Sequence, residues 1–202
     1  MQKKLFTLLI LSAFSANYIH SEVVEEVVVQ ASLLGQTEDG ISDPLHILDG
    51  AEIADMATTS LGETLDSLAG VTTADYGSAV GQPILRGLSG LRVKVLTNGL
   101  VNRDVAGIGA DHKNEVDLFD IQQVEVVRGP SSLLYANGAS GGIVNLVDNT
   151  IATSDVEEMS VKLGFETQSV NSGDSQNFAY SDNVGGLNLY FSYSDSAFGN
   201  YD

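Results

Sequence analysis

The chain of 202 residues contains no cysteine, no tryptophan and only three prolines, and it has nine basic residues compared with 27 acidic ones. The absence of cysteine excludes a disulfide framework and a thiolate-ligated metal centre. The formal net charge of −18 argues against a nucleic-acid partner, because phosphates must be met by a basic face. Such an acidic chain fits an exported protein or one that handles cations.

Long apolar runs are also scarce. The run at Leu5–Phe14 has about ten residues, which is too short to span a bilayer. It follows Lys3 and Lys4 and precedes small residues, which is the layout of a secretory signal peptide. We therefore predict that residues 1–21 are a signal peptide and that the mature protein is exported. No other stretch of the sequence predicts a transmembrane helix.

Glycine is abundant, with 21 residues, and residues 37–152 are typical of short elements joined by tight turns. Asp49 and Ser60 are each followed three residues later by a glutamate, and each predicts a helix start with a capping box. The second helix should end before Gly70. Asn98 and Gly99 predict a hairpin turn. The apolar face predicted for the second helix consists of Leu61, Leu65 and Leu68. Short strands are predicted at residues 45–48, 93–95, 124–127 and 143–147.

From Val156 onwards the sequence changes character, because apolar and polar residues alternate with a period of two. The polar stretch at residues 171–177 separates two such segments. Alternating segments of about ten residues with aromatic ends are typical of outer-membrane barrel strands. An antiparallel sandwich shares the alternation. The barrel interpretation requires a longer chain, because open strand edges are not tolerated in lipid. The apolar positions are Val161, Leu163, Phe165, Leu187, Leu189, Phe191 and Tyr193.

One polar stretch, GADHKNEVD at residues 109–117, contains candidate metal ligands. Asp111 and His112 are adjacent, and Glu115 follows three residues later. Imidazole and carboxylate together suit zinc, but two ligands are too few for a tight site. The local sequence alone favours a solvated polar loop.

The sequence contains no G-x-S-x-G elbow, no H-E-x-x-H pair and no phosphate-binding glycine loop. We therefore predict no catalytic residues and no enzyme activity.

The valine-rich stretch EVVEEVVVQASLLGQ at residues 22–36 is β-prone and flanked by acids. Two interpretations stay open for it. It is either the first strand of a sheet or an extended segment that a partner binds by strand addition.

Taken in order, four segments resemble the plug domain of TonB-dependent outer-membrane receptors. They are EEVVVQAS, TSLGETLDSLAGV, GQPILRGLSGLRVKVLTNG and VEVVRGPSSLLYANGASGGIVNLVDN. The resemblance implies an α+β plug domain, a short mixed sheet with small helices, followed by the first antiparallel strands of a truncated transmembrane β-barrel. The implied division is a signal peptide at 1–21, a TonB box and linker at 22–36, a plug domain at 37–152 and the start of the outer-membrane β-barrel at 153–202.

The resemblance also implies a mechanism. Such receptors close a barrel of about 22 strands around the plug. A ligand binds at the outer face, and the TonB energy-coupling protein pulls on the TonB box from the periplasm. Arg86 and Arg128 occupy the family's arginine positions, which are expected to pair with barrel carboxylates. The implied TonB-contacting residues are Glu26, Val27, Val28, Val29, Gln30 and Ala31.

Within the family, the stretch around residue 112 is most similar to zinc receptors. The resemblance places metal ligands at Asp111 and His112, with the remaining ligands on the barrel. Zinc is then the expected cargo rather than a cofactor, and no cofactor is expected. The expected location is the cell outer membrane, and the expected partners are TonB, outer-membrane lipid and a metal ion or metal complex. The alternatives are a ferric siderophore or haem receptor, a secreted β-rich binding or adhesion domain, and a periplasmic enzyme for which the sequence offers no site.

Overall fold

The computed structural model describes residues 45–56, 58, 60–77, 80–169 and 171–199. The predicted signal peptide and the TonB box at Glu26–Ala31 lie outside the described residues. Within those ranges no helix is long and apolar enough to cross a membrane.

The described chain folds into two short helices, ten strands and single turns of 3-10 helix. The helices are α1 (Gly50–Met56) and α2 (Leu61–Leu65). The strands are β1 (Leu45–Asp49), β2 (Val71–Asp75), β3 (Gly81–Leu85), β4 (Val93–Thr97), β5 (Leu100–Val101), β6 (Ile121–Arg128), β7 (Gly142–Asp148), β8 (Ser160–Gln168), β9 (Gly173–Val184) and β10 (Leu187–Ala197). The 3-10 turns lie at Gly90–Arg92, Val105–Gly107 and Pro130–Leu134.

A five-stranded mixed sheet forms the centre of the predicted plug domain, residues 37–152, which we call the plug, with the order β1-β6-β7-β4-β5. The pairing of β4 with β7 is parallel, and the other pairings are antiparallel. The middle strands β6 and β7 are buried along most of their length, which is typical of strands that are covered on both faces of a sheet. The strands β2 and β3 form a separate hairpin. The predicted mixed sheet with small helices is confirmed.

The second helix begins where the sequence predicted it. The Ser60 hydroxyl oxygen accepts a hydrogen bond of 3.2 Å from the backbone N–H of Glu63, which satisfies one of the free donors of the first turn. Leu61 and Leu65 are fully buried. The predicted extent was wrong, because the helix ends at Leu65 and the next turn tightens into i+3 hydrogen bonds. Leu68 still packs against the core from this turn.

The predicted hairpin turn between β4 and β5 is confirmed. Asn98 and Gly99 have φ angles of 49° and 78°, and positive φ at both central residues is the geometry of a type I′ turn. Two contacts from β7 fix this turn to the central sheet. Asn98 donates a hydrogen bond of 2.7 Å to Asp148, and the backbone N–H of Gly99 donates one of 2.8 Å to Asn145.

The strands β8, β9 and β10 form a second, antiparallel sheet, which we call the wall sheet (residues 160–168, 173–184 and 187–197). The predicted antiparallel strands are therefore confirmed. However, β9 begins at Gly173, inside the polar stretch where no strand was predicted. Pairing with both neighbours fixes this polar strand, and hydrophobic alternation could not reveal it.

The wall sheet has two unlike faces. Its outer face exposes large apolar side chains, with Leu163 and Phe165 exposed to 65% and 77%. Its inner face carries small or polar residues and lies against the plug. Successive residues of a strand point to opposite faces, so this alternation follows from the sequence. The inner face includes Lys162, Gly164, Glu166, Asn177, Ala179, Asn188 and Tyr190.

Candidate ligand loop and plug–wall contacts

The long loop between β5 and β6, residues 102–120, carries the predicted metal ligands. The Nδ1 atom of His112 lies 3.6 Å from Oδ1 of Asp111, and their side chains are 47% and 67% exposed. Glu115 is also exposed. Over the residues that the structure describes, no group of three or more His, Cys, Asp or Glu side chains is placed to hold a metal. The pair can therefore hold an ion only with ligands from elsewhere, and the predicted site stays a prediction.

A buried glutamine shapes the β5–β6 loop beneath this pair. The side-chain nitrogen of Gln82, which is only 3% exposed, lies within hydrogen-bonding distance of three backbone carbonyl oxygens. They belong to Ala106, Gly109 and His112, at 2.9, 2.8 and 2.5 Å. Since a side-chain amide has two N–H hydrogens, these oxygens share them. The loop backbone is thus drawn inwards while Asp111 and His112 face outwards. No sequence pattern marks Gln82 for this role.

The two predicted barrel-contacting arginines lie close together at one end of the plug. Arg86 is exposed in a turn with φ of 51°. Arg128 ends β6, is half-buried, and contacts the carbonyl oxygen of Ala69 and the ring of His46. Burial, and then the charge of Arg86, lower the pKa of Arg128. Within the described ranges neither arginine forms a salt bridge, so their pairing with barrel carboxylates stays a prediction.

A buried carboxylate that no sequence motif marks connects the plug to the wall sheet. Asp120 is 7% exposed, and its Oδ1 atom lies 2.5 Å from Nζ of Lys162 on β8. Its Oδ2 atom accepts hydrogen bonds from Tyr190 on β10 and from Asn149, at 2.9 and 3.0 Å. Burial raises the pKa of Asp120, but the hydrogen bonds from Lys162, Asn149 and Tyr190 outweigh it, so the pKa is lowered. The carboxylate is therefore ionised at neutral pH.

An open groove of about 620 Å³ separates the second half of the β5–β6 loop from the inner face of the wall sheet. Glu115 and Asp117 line it on the plug side, and Glu166, Ser175 and Ser194 line it on the wall side. The lining also includes Lys113 and apolar side chains such as Phe119 and Phe198, so the groove is of mixed polarity.

Comparison with known proteins identifies the family. The family model for the TonB-dependent receptor plug domain matches residues 38–143. A vitamin B12 transporter, BtuB of Vibrio vulnificus strain YJ016, is 29% identical over 171 residues, which cover 82% of this chain and 27% of the relative. BtuB of strain CMCP6 is 25% identical, with 83% and 28% covered. This chain therefore spans about a quarter of the length of the curated relatives that it matches.

Solved structures show the same fold. The ferric-catecholate import receptor Fiu of E. coli K12 superposes with a TM-score of 0.61 at 16% identity, over 80% of this chain and 22% of that receptor. The siderophore receptor PirA of Acinetobacter baumannii gives a TM-score of 0.62 at 18% identity, over 83% and 26%. At these identities the likeness concerns the fold alone.

Proposed function

This chain belongs to the family of TonB-dependent receptor plug domains, and on that basis we propose that it is part of an outer-membrane transporter for a bulky metal-bearing complex. In this proposal the plug closes the barrel from inside, and the wall sheet belongs to the barrel. The family consists of receptors rather than enzymes, which supports the prediction of no enzyme activity.

The observation that carries the proposal is the two-faced wall sheet attached to the plug. On its inner face, Lys162 and Tyr190 form hydrogen bonds with Asp120 of the plug. Its outer face bears aromatic and aliphatic side chains, and Phe178 and Phe191 pack there with ring centroids 5.9 Å apart. An apolar outer face and a polar inner face are what a strand between lipid and a filled barrel lumen requires.

Energy coupling is assigned to the segment Glu26–Ala31. A β-prone segment can offer main-chain hydrogen bonds to an added strand. We propose that TonB pairs with this segment in the periplasm and that pulling on it moves the plug, which opens a path for the cargo.

The proposed cargo is vitamin B12 or a ferric siderophore. Two curated relatives are named as vitamin B12 transporters, and two structures with the same fold are named as a ferric-catecholate import receptor and a siderophore receptor. These names do not support the zinc cargo that the sequence predicted. Zinc stays as a second candidate only because Asp111 and His112 lie together, exposed, on the β5–β6 loop.

The test is uptake by the full-length receptor in cells that lack their own vitamin B12 and siderophore receptors. The probes are radiolabelled cyanocobalamin, ferric enterobactin and zinc. We expect uptake of cyanocobalamin or ferric enterobactin. We expect Val28→Pro to abolish that uptake, because proline cannot donate its main-chain hydrogen bond to an added strand. Val28→Ala keeps the N–H group and is the matched control.

The outcomes separate the parts of the proposal. Uptake of zinc alone would replace the cargo and retain the transporter. Equal uptake by the Val28→Pro and Val28→Ala receptors would show that this segment does not couple transport to TonB. Uptake of none of the three probes, by a receptor shown to be assembled in the outer membrane, would contradict the proposed cargo classes.

A further inference from the structure

The last residues of the β5–β6 loop make a close contact with the wall sheet. The ring of Phe119 lies over Gly164 of β8, at a point where a Cβ atom on residue 164 would come within 2.3 Å of the ring carbon Cε2. Only glycine leaves room for the ring in this position, because real Cβ atoms do not approach other heavy atoms so closely. The preceding residues Val116 and Leu118 pack against the plug core instead. Phe119 is therefore the residue at which the chain turns from the plug core to the wall.

The next residue adds a polar contact at the same place. Asp120 receives donors from two different wall strands, Lys162 on β8 and Tyr190 on β10, and from Asn149 just after β7. A buried carboxylate that loses its cationic partner keeps its desolvation penalty, which makes such a contact strongly dependent on each donor. Directly after it, Ile121 begins β6, which pairs with β1 and β7 in the five-stranded sheet.

We propose that Phe119 and Asp120 form a latch that positions the β5–β6 loop and the start of β6 against the barrel wall, and that this latch has to open before the plug can move during transport. The proposal rests on the proposed transporter function, because it takes the wall sheet to be part of the barrel. Neither residue contacts the cargo in it. Both act by holding the loop that displays Asp111 and His112.

Two contacts of different chemistry at adjacent residues carry this inference. A shape fit alone is a common packing detail, and an isolated surface ion pair is worth little. Here the carboxylate is 7% exposed and satisfied by three side chains from separate segments. The latch lies between the exposed ligand loop and β6, so its opening releases the loop and the start of β6 from the wall.

The test is hydrogen exchange, read by mass spectrometry, on the full-length receptor purified in detergent. It requires neither cargo nor TonB, so failure of the latch and failure of the transport proposal are distinguishable. The Asp120 carboxylate is buried, whereas the side chain of its partner Lys162 is half exposed. We expect Asp120→Asn and Lys162→Met each to accelerate exchange of residues 113–121 by about tenfold, because each change breaks a contact on which the buried carboxylate depends. Exchange in β6 beyond residue 122 and in β7 should change little. Asp155→Asn, which removes an exposed carboxylate next to the wall sheet, is the matched control and should behave as wild type.

A second set of variants tests the latch without altering charge. Gly164→Ala should also accelerate exchange of residues 113–121, because its methyl group displaces the Phe119 ring. Adding Phe119→Ala to Gly164→Ala removes the clash, so the double variant should exchange more slowly than Gly164→Ala alone. Wild-type exchange in Asp120→Asn and Lys162→Met would overturn the proposal. So would faster exchange throughout the plug combined with no rescue by the double variant.

Discussion

At the scale of single residues, the most informative side chains are the polar ones that the plug core encloses. Glu125 on β6 and Asn145 on β7 are both fully buried and lie opposite each other in the sheet register. Asn145 donates a hydrogen bond of 2.8 Å to Glu125 and accepts one from Gly99. Because buried polar groups need partners in fixed places, this contact specifies the register of β6 on β7. It also fixes the hairpin turn that precedes the β5–β6 loop.

His112 supports the sharpest single-residue prediction. If the exposed Asp111–His112 pair binds zinc together with barrel ligands, replacing His112 by alanine removes one of the side chains that coordinate the metal. Calorimetric zinc titration of the full-length receptor should then show affinity weakened by tenfold or more, about 1.4 kcal/mol. Glu158→Gln, which changes an exposed carboxylate outside the loop, should leave the affinity unchanged. Equal affinities of wild type and His112→Ala would mean that the loop is simply solvated.

At the scale of elements, the two faces of β8 make opposite predictions for neighbouring residues. Phe165 points outward and is 77% exposed, whereas Glu166 points to the inner face beside the groove. A lysine on the lipid side near the bilayer midplane costs about 2–4 kcal/mol, but one in a wet lumen costs little. Phe165→Lys should therefore lower the amount of assembled receptor in outer membranes, as seen by heat-modifiable electrophoretic mobility. Glu166→Lys should lower it much less, and equal losses would contradict the assignment of the faces.

Elements differ in how far their sequence determines them. The start of α2, the Asn98–Gly99 turn and the apolar alternation of β8 and β10 follow from local signals, and the sequence predicts all three. The end of α2 does not, because Leu68 keeps its place on the core from a tightened turn as well as from a helix. The start of β9 is polar and depends on its two partner strands.

The candidate site was predictable only in part for the same physical reason. The residue types of Asp111 and His112 mark them locally, and their proximity follows from adjacency in the chain. Gln82, Phe119 and Asp120 act through partners that lie 24 to 70 positions away. One amino-acid sequence, taken position by position, does not indicate which residues that are distant in the chain come into contact. The resemblance to the family implies the architecture and the zinc ligands, but it implies none of these contacts.

At the scale of the whole molecule, the plug contains two kinds of structure that differ in their dependence on the wall. The central sheet encloses its own apolar core, which includes Leu61, Leu65 and Val124. The end of the β5–β6 loop instead takes Lys162, Gly164 and Tyr190 of the wall sheet as partners, beside Asn149 of the plug. The stability of the plug is therefore expected to be uneven, with local opening that is easier at the loop than in the core strands.

This division predicts how a plug fragment, residues 37–152, behaves by itself. Hydrogen exchange should show β6 and β7 still protected, but residues 113–121 should exchange about tenfold faster than in the full receptor, because the buried Asp120 carboxylate loses its donors on the wall sheet. In the fragment Asp120→Asn should add little further acceleration, since Lys162 and Tyr190 are already missing. If the fragment protects residues 113–121 as well as the full receptor does, the loop is ordered by the plug alone. If β6 and β7 also lose protection, then the central sheet itself depends on the wall, and the boundary between the two kinds of structure lies deeper in the plug than Asp120.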